Sequence, residues 1–306
     1  MAPLEPAAET PPPLAVMPLP SVAFPQPLPG ACQQQPTLDR QTSEVETSHD
    51  LTVMAATAAA ATSGLFAEMH WSIVRACDHA PLRRLQAEWW QCCTSAKAGV
   101  RAAWSKLKTR ELSAKASEQR DVVDVGLASE ELRERTVAEL RVQLLAMGVD
   151  AASQLHVSGV KLVRSPPGAG RQMLHLDVPS KARVHSQRGD AGTPKAQQCY
   201  SCILHLHPGE AQSTWVPALP AAQMQPLFDT KGAAWREHAQ HLCHVDHFRS
   251  HLMQAGDLMV FRGDVPHYGP ANESSSEWRW VLFVMFSPVP GPNQDSEQEF
   301  LDCPTV

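Results

Sequence analysis

Two histidines and one carboxylate on a common face can hold a metal ion and leave three positions of an octahedron open, a donor set that suits Fe(II). His175, Asp177 and His267 offer that set in this 306-residue chain. His175 and Asp177 stand two apart in RQMLHLDVPS, whose alternation predicts a strand over Gln172–Val178. Period two then points both side chains, with Met173, to one face and Leu174 and Leu176 to the other. His267 follows Asp177 by 90 residues, which leaves room for several strands between the ligands.

Context has to support the pair, because 14 histidines and 14 aspartates in 306 residues give roughly 0.6 His-x-Asp pairs by chance. A second pair does occur, His244-Val245-Asp246, in a stretch between Ala233 and Met253 read as a helical insertion with histidines at 238, 241, 244, 247 and 251. On a helix, residues two apart diverge by about 200° and share a metal poorly. That pair also lies close before His267. Cys199, Cys202, His205 and His207 form a further cluster of metal-ligating types. On a strand, Cys202 faces away from His205, which disfavours zinc there. No Ser/His/Asp order, P-loop or dinucleotide-binding glycine pattern is present.

The elements that must carry these residues change character along the chain. Met1–Pro36 holds eleven prolines and no Lys or Arg. Such composition predicts a disordered, partly polyproline II tail over residues 1–58, with a proline-reading protein as its conceivable partner, and neither a secretory signal nor a transit peptide. Residues 59–150 read as helical support. Phe66, Met69, Ile73 and Cys77 recur at helical spacing, and Leu85, Trp89, Cys92, Ala96, Val100, Trp104 and Leu107 form one apolar stripe. Arg83–Arg120 is basic and Asp121–Leu140 acidic, which two helices side by side would explain. Thr136 and Glu139 have the spacing of a capping box opening a helix over Val137–Met147, closed near Gly148.

From residue 156 the period becomes two. Strands are predicted over His156–Val163, Gln172–Val178, Tyr200–His207, Thr214–Val216, Asp257–Arg262 and Trp278–Phe286, with a turn at Pro166–Gly168. Helices followed by short strands predict a mainly β sandwich or barrel with helical support, spanning 151–290, and a C-terminal tail over 291–306. The net charge of −6 and pI near 6.1 argue against nucleic acid or anionic membrane as partner. No apolar run reaches the roughly 18 residues of a spanning helix. Eight cysteines with one C-x-x-C do not make a disulfide scaffold, and cytosol or nucleus is the expected location.

Three segments, RQMLHLDVPS, YSCILHLHPG and AGDLMVFRGDVPHYGPANESSSEWRWVLFVMFSP, resemble the 2-oxoglutarate- and Fe(II)-dependent dioxygenase superfamily, in its prolyl-hydroxylase-like and phytanoyl-CoA-hydroxylase-like branches. The resemblance spans about residues 156–288 and implies a double-stranded β-helix, or jelly roll, preceded by N-terminal helices. It implies Fe(II) on His175, Asp177 and His267, and 2-oxoglutarate and dioxygen as co-substrates. It further implies succinate and CO2 as co-products of hydroxylating an unidentified substrate, with ascorbate as an accessory reductant. Gly256-Asp257 matches the family's turn before the strand leading to the distal histidine. Arg279, twelve beyond His267, matches the basic residue that binds the far carboxylate of 2-oxoglutarate. Independently of the resemblance, Arg279 shares a strand face with Val281, Phe283 and Met285, where a guanidinium calls for an anionic partner such as a dicarboxylate. His205 stands where the prolyl-hydroxylase branch has a tyrosine, so its part in co-substrate binding and a plain core role both stay open. Two other classes also stay open: an inactive jelly-roll binding module and a zinc-binding interaction protein.

Overall fold

The computed structural model describes residues 62–94, 105–106, 121–124, 130–172, 174–177, 199–224, 247–288 and 299–300. All belong to one contiguous unit, Thr42–Val306. The Pro-rich tail, most of the predicted histidine-rich insertion and the His244/Asp246 pair lie outside these residues.

A long antiparallel sheet dominates. Its strands are β1 (Trp71–Val74), β2 (Ser105–Lys106), β3 (Asp121–Asp124), β4 (His156–Ser165), β6 (Tyr200–His205), β11 (Leu258–Arg262) and β12 (Arg279–Ser287). They lie in the order β1-β11-β6-β12-β4-β3-β2. The remaining strands are short: β5 (His175–Leu176), β7 (Ala211–Gln212), β8 (Val216–Pro217), β9 (Phe248–Arg249), β10 (Leu252–Met253) and β13 (Glu299–Phe300). They pair as β5 with β13, β7 with β10 and β8 with β9. Bridges His175–His267 and Trp215–Tyr268 stitch these pieces together. From β4 to β12 the chain passes repeatedly between the long sheet and the short strands.

Both faces of the long sheet are covered, as its continuous apolar runs require. The helices are α1 (residues 62–69), α2 (Ala80–Thr94) and α3 (Glu130–Ala146), and one face of the sheet packs on the last two. Leu82, Leu85, Trp89, Leu140 and Leu144 meet Leu162, Cys202, Leu204, Val260, Leu282 and Val284 there. The alternate residues, Val163, Ile203, His205, Met259, Arg279, Val281 and Phe283, face a cavity shared with the short strands.

Several sequence expectations change here. The helical spacing from Phe66 to Cys77 ends early: residues 62–69 are helical, His70 takes a positive φ of 59°, and Ile73 lies in β1 against Met259 of β11. The helix through Leu107 is also too long, because Ser105–Lys106 is a strand. The capping box does not form, since α3 begins at Glu130 and Thr136 is mid-helix. There its hydroxyl donates to the Leu132 carbonyl at 2.7 Å and accepts from Trp89 Nε1 at 2.8 Å, tying the two helices together. Arg135 pairs with Glu88 across the same helix contact, an acid of the basic run meeting a base of the acidic run, the reverse of the pairing that the two charge runs suggest. Gly148, with φ of 84°, closes α3 as expected. Residues 248–249 and 252–253 are strands, so the predicted insertion does not stay helical to Met253 and His251 lies between β9 and β10. The expected C-terminal tail contributes β13, which pairs with β5 at His175–Leu176.

Candidate metal centre and its cavity

His175 enters the site from β5, and His267 from the segment after β11. Their backbones are fixed to each other by two reciprocal N–H···O=C bonds of 2.9 Å. Cross-strand partners project to the same face, and the two rings lie 4.3 Å apart between centroids. Asp177, just past β5, completes the group. Its Oδ1 is 3.8 Å from His175 Nε2 and 3.4 Å from His267 Nε2. One ligand atom from each residue lies within 4.8 Å of the other two, and no second group of three such residues occurs among the described residues. The strand predicted over Gln172–Val178 is shorter than expected, but the three predicted residues come together.

Two of the three donors are held in place by further hydrogen bonds. His267 Nδ1–H donates to the Val265 carbonyl at 3.0 Å, which fixes the ring and points Nε2 toward Asp177. Ser201 Oγ donates to Asp177 Oδ2 at 2.6 Å, so one carboxylate oxygen is anchored and the other faces the imidazoles. Burial would raise the Asp177 pKa. The His267 and His175 charges and the His267 and Ser201 hydrogen bonds outweigh it and hold the carboxyl far below its ordinary range. Burial disfavours a charged His267, yet Asp177, with the Val265 carbonyl, raises its pKa above the ordinary value. Two imidazoles and an ionised carboxylate, with further hydrogen bonds on His267 and Asp177, suit a borderline divalent ion of the Fe(II) type.

The turn before His267 is braced separately. Arg262 donates from Nε and Nη2 to the two oxygens of Asp264, at 2.9 and 2.7 Å, and Asp264 is only 2% exposed. Phe261 packs 4.5 Å from the His267 ring.

The cavity of about 120 Å³ continues from these residues to Arg279. Arg279 does lie on the cavity face, and Trp280 turns to the other side, packing edge-on with Trp90. The guanidinium is half-buried rather than deeply buried, because it opens β12 at the sheet's end. It donates to Ser165 Oγ at 3.3 Å and to the Pro270 carbonyl at 3.1 Å. His205 is 3% exposed and lies opposite Val281 on the same face. Burial, reinforced by the Arg279 charge, lowers its pKa to about 4 against the opposing pull of its Gly209 hydrogen bond. Its Nε2 is 3.3 Å from the Gly209 carbonyl, so the N–H of the neutral ring is directed there and Nδ1 is left as an acceptor.

The cysteine–histidine cluster separates as strand alternation requires. Cys202 is fully buried on the helix side, where burial pushes its thiol pKa far up, while His205 faces the cavity. Sequence reasoning missed Ser201, Ser165 and Lys161. All three share the cavity face through period two, which is the signal that could have found them.

Among solved structures, the chain is similar to a Pseudomonas putida prolyl-4-hydroxylase, at 17% identity over 76% of this chain and 100% of that one, TM-score 0.45. It is also similar to SnoN, a non-heme alpha-ketoglutarate-dependent epimerase from nogalamycin biosynthesis, at 11% identity over 76% and 81% of the two chains, TM-score 0.48. A third is HygX from Streptomyces hygroscopicus, with nickel and 2-oxoglutarate bound, at 11% identity over 76% and 88%, TM-score 0.48. The SnoN and HygX structures are each described by alpha-ketoglutarate (2-oxoglutarate), as a dependence of the one and a ligand bound to the other. No protein-family model and no curated protein matches the chain. Among the described residues no helix is long and apolar enough to cross a membrane.

Proposed function

We propose that this chain is an Fe(II)- and 2-oxoglutarate-dependent dioxygenase built on a double-stranded β-helix, hydroxylating a substrate in the cavity. The observation that carries the reading is the joining of two features in one cavity. At one end, His175, Asp177 and His267 converge within 4.8 Å, and farther along the same wall stands a basic residue, Arg279. The alternation of the chain between the long sheet and the short strands supports the jelly-roll assignment.

His175 Nε2, His267 Nε2 and Asp177 Oδ1 would hold the metal, and Arg279 with Ser165 would take the distal carboxylate of 2-oxoglutarate. When bound, the pair supplies dioxygen activation and two-electron oxidation of a C–H bond, with succinate and CO2 as co-products. The protein's own residues position and shield. Ser201 and Val265 orient Asp177 and His267. Arg279 offers a planar fork that fixes a carboxylate bidentately. Neutral His205 lines the same stretch without adding charge. Ile203, Met259, Val281 and Phe283 make an apolar wall that limits water near the metal. Gln212, Ser213 and Thr214 provide neutral polar groups on the short-strand side, suited to hydrogen bonding with a substrate.

The test is succinate release from 2-oxoglutarate by Fe(II)-loaded protein in air. Release that needs Fe(II) and disappears in H267A supports the reading. Metal-independent release, or none from folded and iron-loaded protein, counts against it, and the second result would leave the cavity as a binding module.

A further inference from the structure

Among the described residues, His70 is the only one other than glycine with a positive φ, 59°. It closes α1 through its N–H, which donates to the Phe66 carbonyl at 2.9 Å. Helices often end on a left-handed residue, but glycine or asparagine usually fills that place, because other side chains are strained there. The backbone alone therefore gives no reason for a histidine. Its ring does, because His70 meets Arg262, the last residue of β11, twice. The His70 carbonyl accepts from the Arg262 N–H at 2.9 Å, and His70 Nε2 lies 3.1 Å from Arg262 Nη1. A guanidinium carries only N–H donors, so His70 takes this bond as a neutral ring with Nε2 as acceptor. Burial, helped by the Arg262 charge, favours that neutral ring by lowering its pKa to about 4, against the pull of Asp264.

The contact leads on to His267. Nη1 of Arg262 points to His70, while Nε and Nη2 of the same guanidinium grip the two oxygens of buried Asp264. Arg262 and Asp264 bracket a tight turn, in which the Val265 N–H donates to the Arg262 carbonyl at 3.0 Å. On the far side of that turn, the Val265 carbonyl accepts from His267 Nδ1–H. A continuous run of bonds thus connects the end of α1 to the imidazole. Two bonds to one carboxylate set the plane of the guanidinium fork, and a third at Nη1 holds its outer end against rocking. Partners behind a metal-ligating histidine fix its orientation and raise its basicity. Resting on the function proposed above, we propose that His70 is a positioning residue for the metal centre, acting on His267 through Arg262, Asp264 and Val265. The helical region before the sheet thereby becomes part of the site.

The experiment compares wild type with H70G and H70Q. His70→Gly suits the left-handed backbone and can keep both backbone bonds while removing the acceptor. His70→Gln puts an acceptor, Oε1, back near the place of Nε2. Fe(II) affinity is measured by anaerobic competition with a chelator. Hydrogen exchange of the paramagnetically shifted imidazole N–H signals is followed by NMR of the Co(II)-loaded protein, and Tm is recorded for each variant. H70G is expected to bind Fe(II) about tenfold more weakly, the lower end for losing a group behind a metal ligand, and one shifted N–H should exchange about tenfold faster. H70Q should return both quantities to near wild type, with Tm little changed in either variant. Wild-type affinity and exchange in H70G overturn the proposal, whatever happens to Tm. Weakened affinity with every N–H exchange rate unchanged overturns it too, because the effect would not pass through His267. Equal losses in H70G and H70Q, by misfolding or otherwise, have the same meaning, since the side chain would then serve the fold and not the acceptor contact. A folded wild type that binds neither Fe(II) nor Co(II) overturns the underlying function instead.

Discussion

At one end of the cavity, His175 and His267 are 2% and 4% exposed, their backbones are bonded to each other, and Asp177 and His267 are each fixed by a further hydrogen bond. Along the same wall, Arg279 is half-buried at a strand end and held by two longer bonds to neutral oxygens. Under the proposed function, the difference follows from what each end would bind. A metal tolerates little displacement of its ligands, so the fold spends burial and second hydrogen bonds on holding them. A carboxylate can be met by a flexible guanidinium at the sheet's margin, and neutral partners there are easily exchanged for an anion. Substitutions at the metal end should therefore abolish function, and those at the cation end should tune it.

The largest effect is expected from Asp177→Ala, which removes the only carboxylate of the cluster. Succinate release should fall at least 100-fold, and Fe(II) binding by calorimetry should fall with it, while circular dichroism stays unchanged. An active D177A would break the comparison at its stronger end. Arg279→Ala should raise the KM for 2-oxoglutarate by about 10- to 100-fold, equivalent to about 1.4–3 kcal/mol, and leave Fe(II) affinity within twofold. Parallel losses of both would mean that the two ends are not separable. Ser201→Ala should lower Fe(II) affinity about tenfold, the usual scale for losing a group that orients a metal ligand. A neutral result would show that Asp177 does not depend on its Ser201 hydrogen bond.

The smallest effect concerns pH. His205 has a folded pKa of about 4 against an ordinary 6.5. Between those values the unfolded chain binds more protons, so stability is full above pH 6.5 and falls as pH drops toward 4. The loss from His205 is up to about 3 kcal/mol, at 1.36 kcal/mol per pKa unit. His70 and His251 are shifted the same way. H205Q should therefore flatten part of the slope of Tm between pH 6.5 and 4.5, and an unchanged slope would contradict the burial of a neutral imidazole.

What the sequence made legible follows the same division. The candidate metal cluster could be read because period two and the long interval from Asp177 to His267 left one arrangement able to bring the three residues together. Arg279 could be read because β12 is long and its alternation clean. Lys161 was hidden because β4 is buried on both faces. A lysine between Val160 and Leu162 reads as solvent-facing when a sheet has one wet side, and this sheet has a cavity there instead. β1 was hidden because Ile73 falls on both a helical and a strand pattern, and only the positive φ at His70 separates the two. The mid-helix place of Thr136 could not be foreseen, since a capping box and an interior threonine bonded to Trp89 share the same local sequence. β13 had no signal, being two residues whose pairing with β5 is purely long-range.

The central claim is that one cavity joins an Fe(II) centre to a 2-oxo-acid site. Its most direct test is an anaerobic titration of the Fe(II)-loaded chain with 2-oxoglutarate, followed by visible absorbance. The account predicts a metal-to-ligand charge-transfer band that saturates at one 2-oxoglutarate per chain, is lost in D177A, and in R279A appears only at higher 2-oxoglutarate. Iron-loaded, folded protein that develops no band at any 2-oxoglutarate concentration would contradict it.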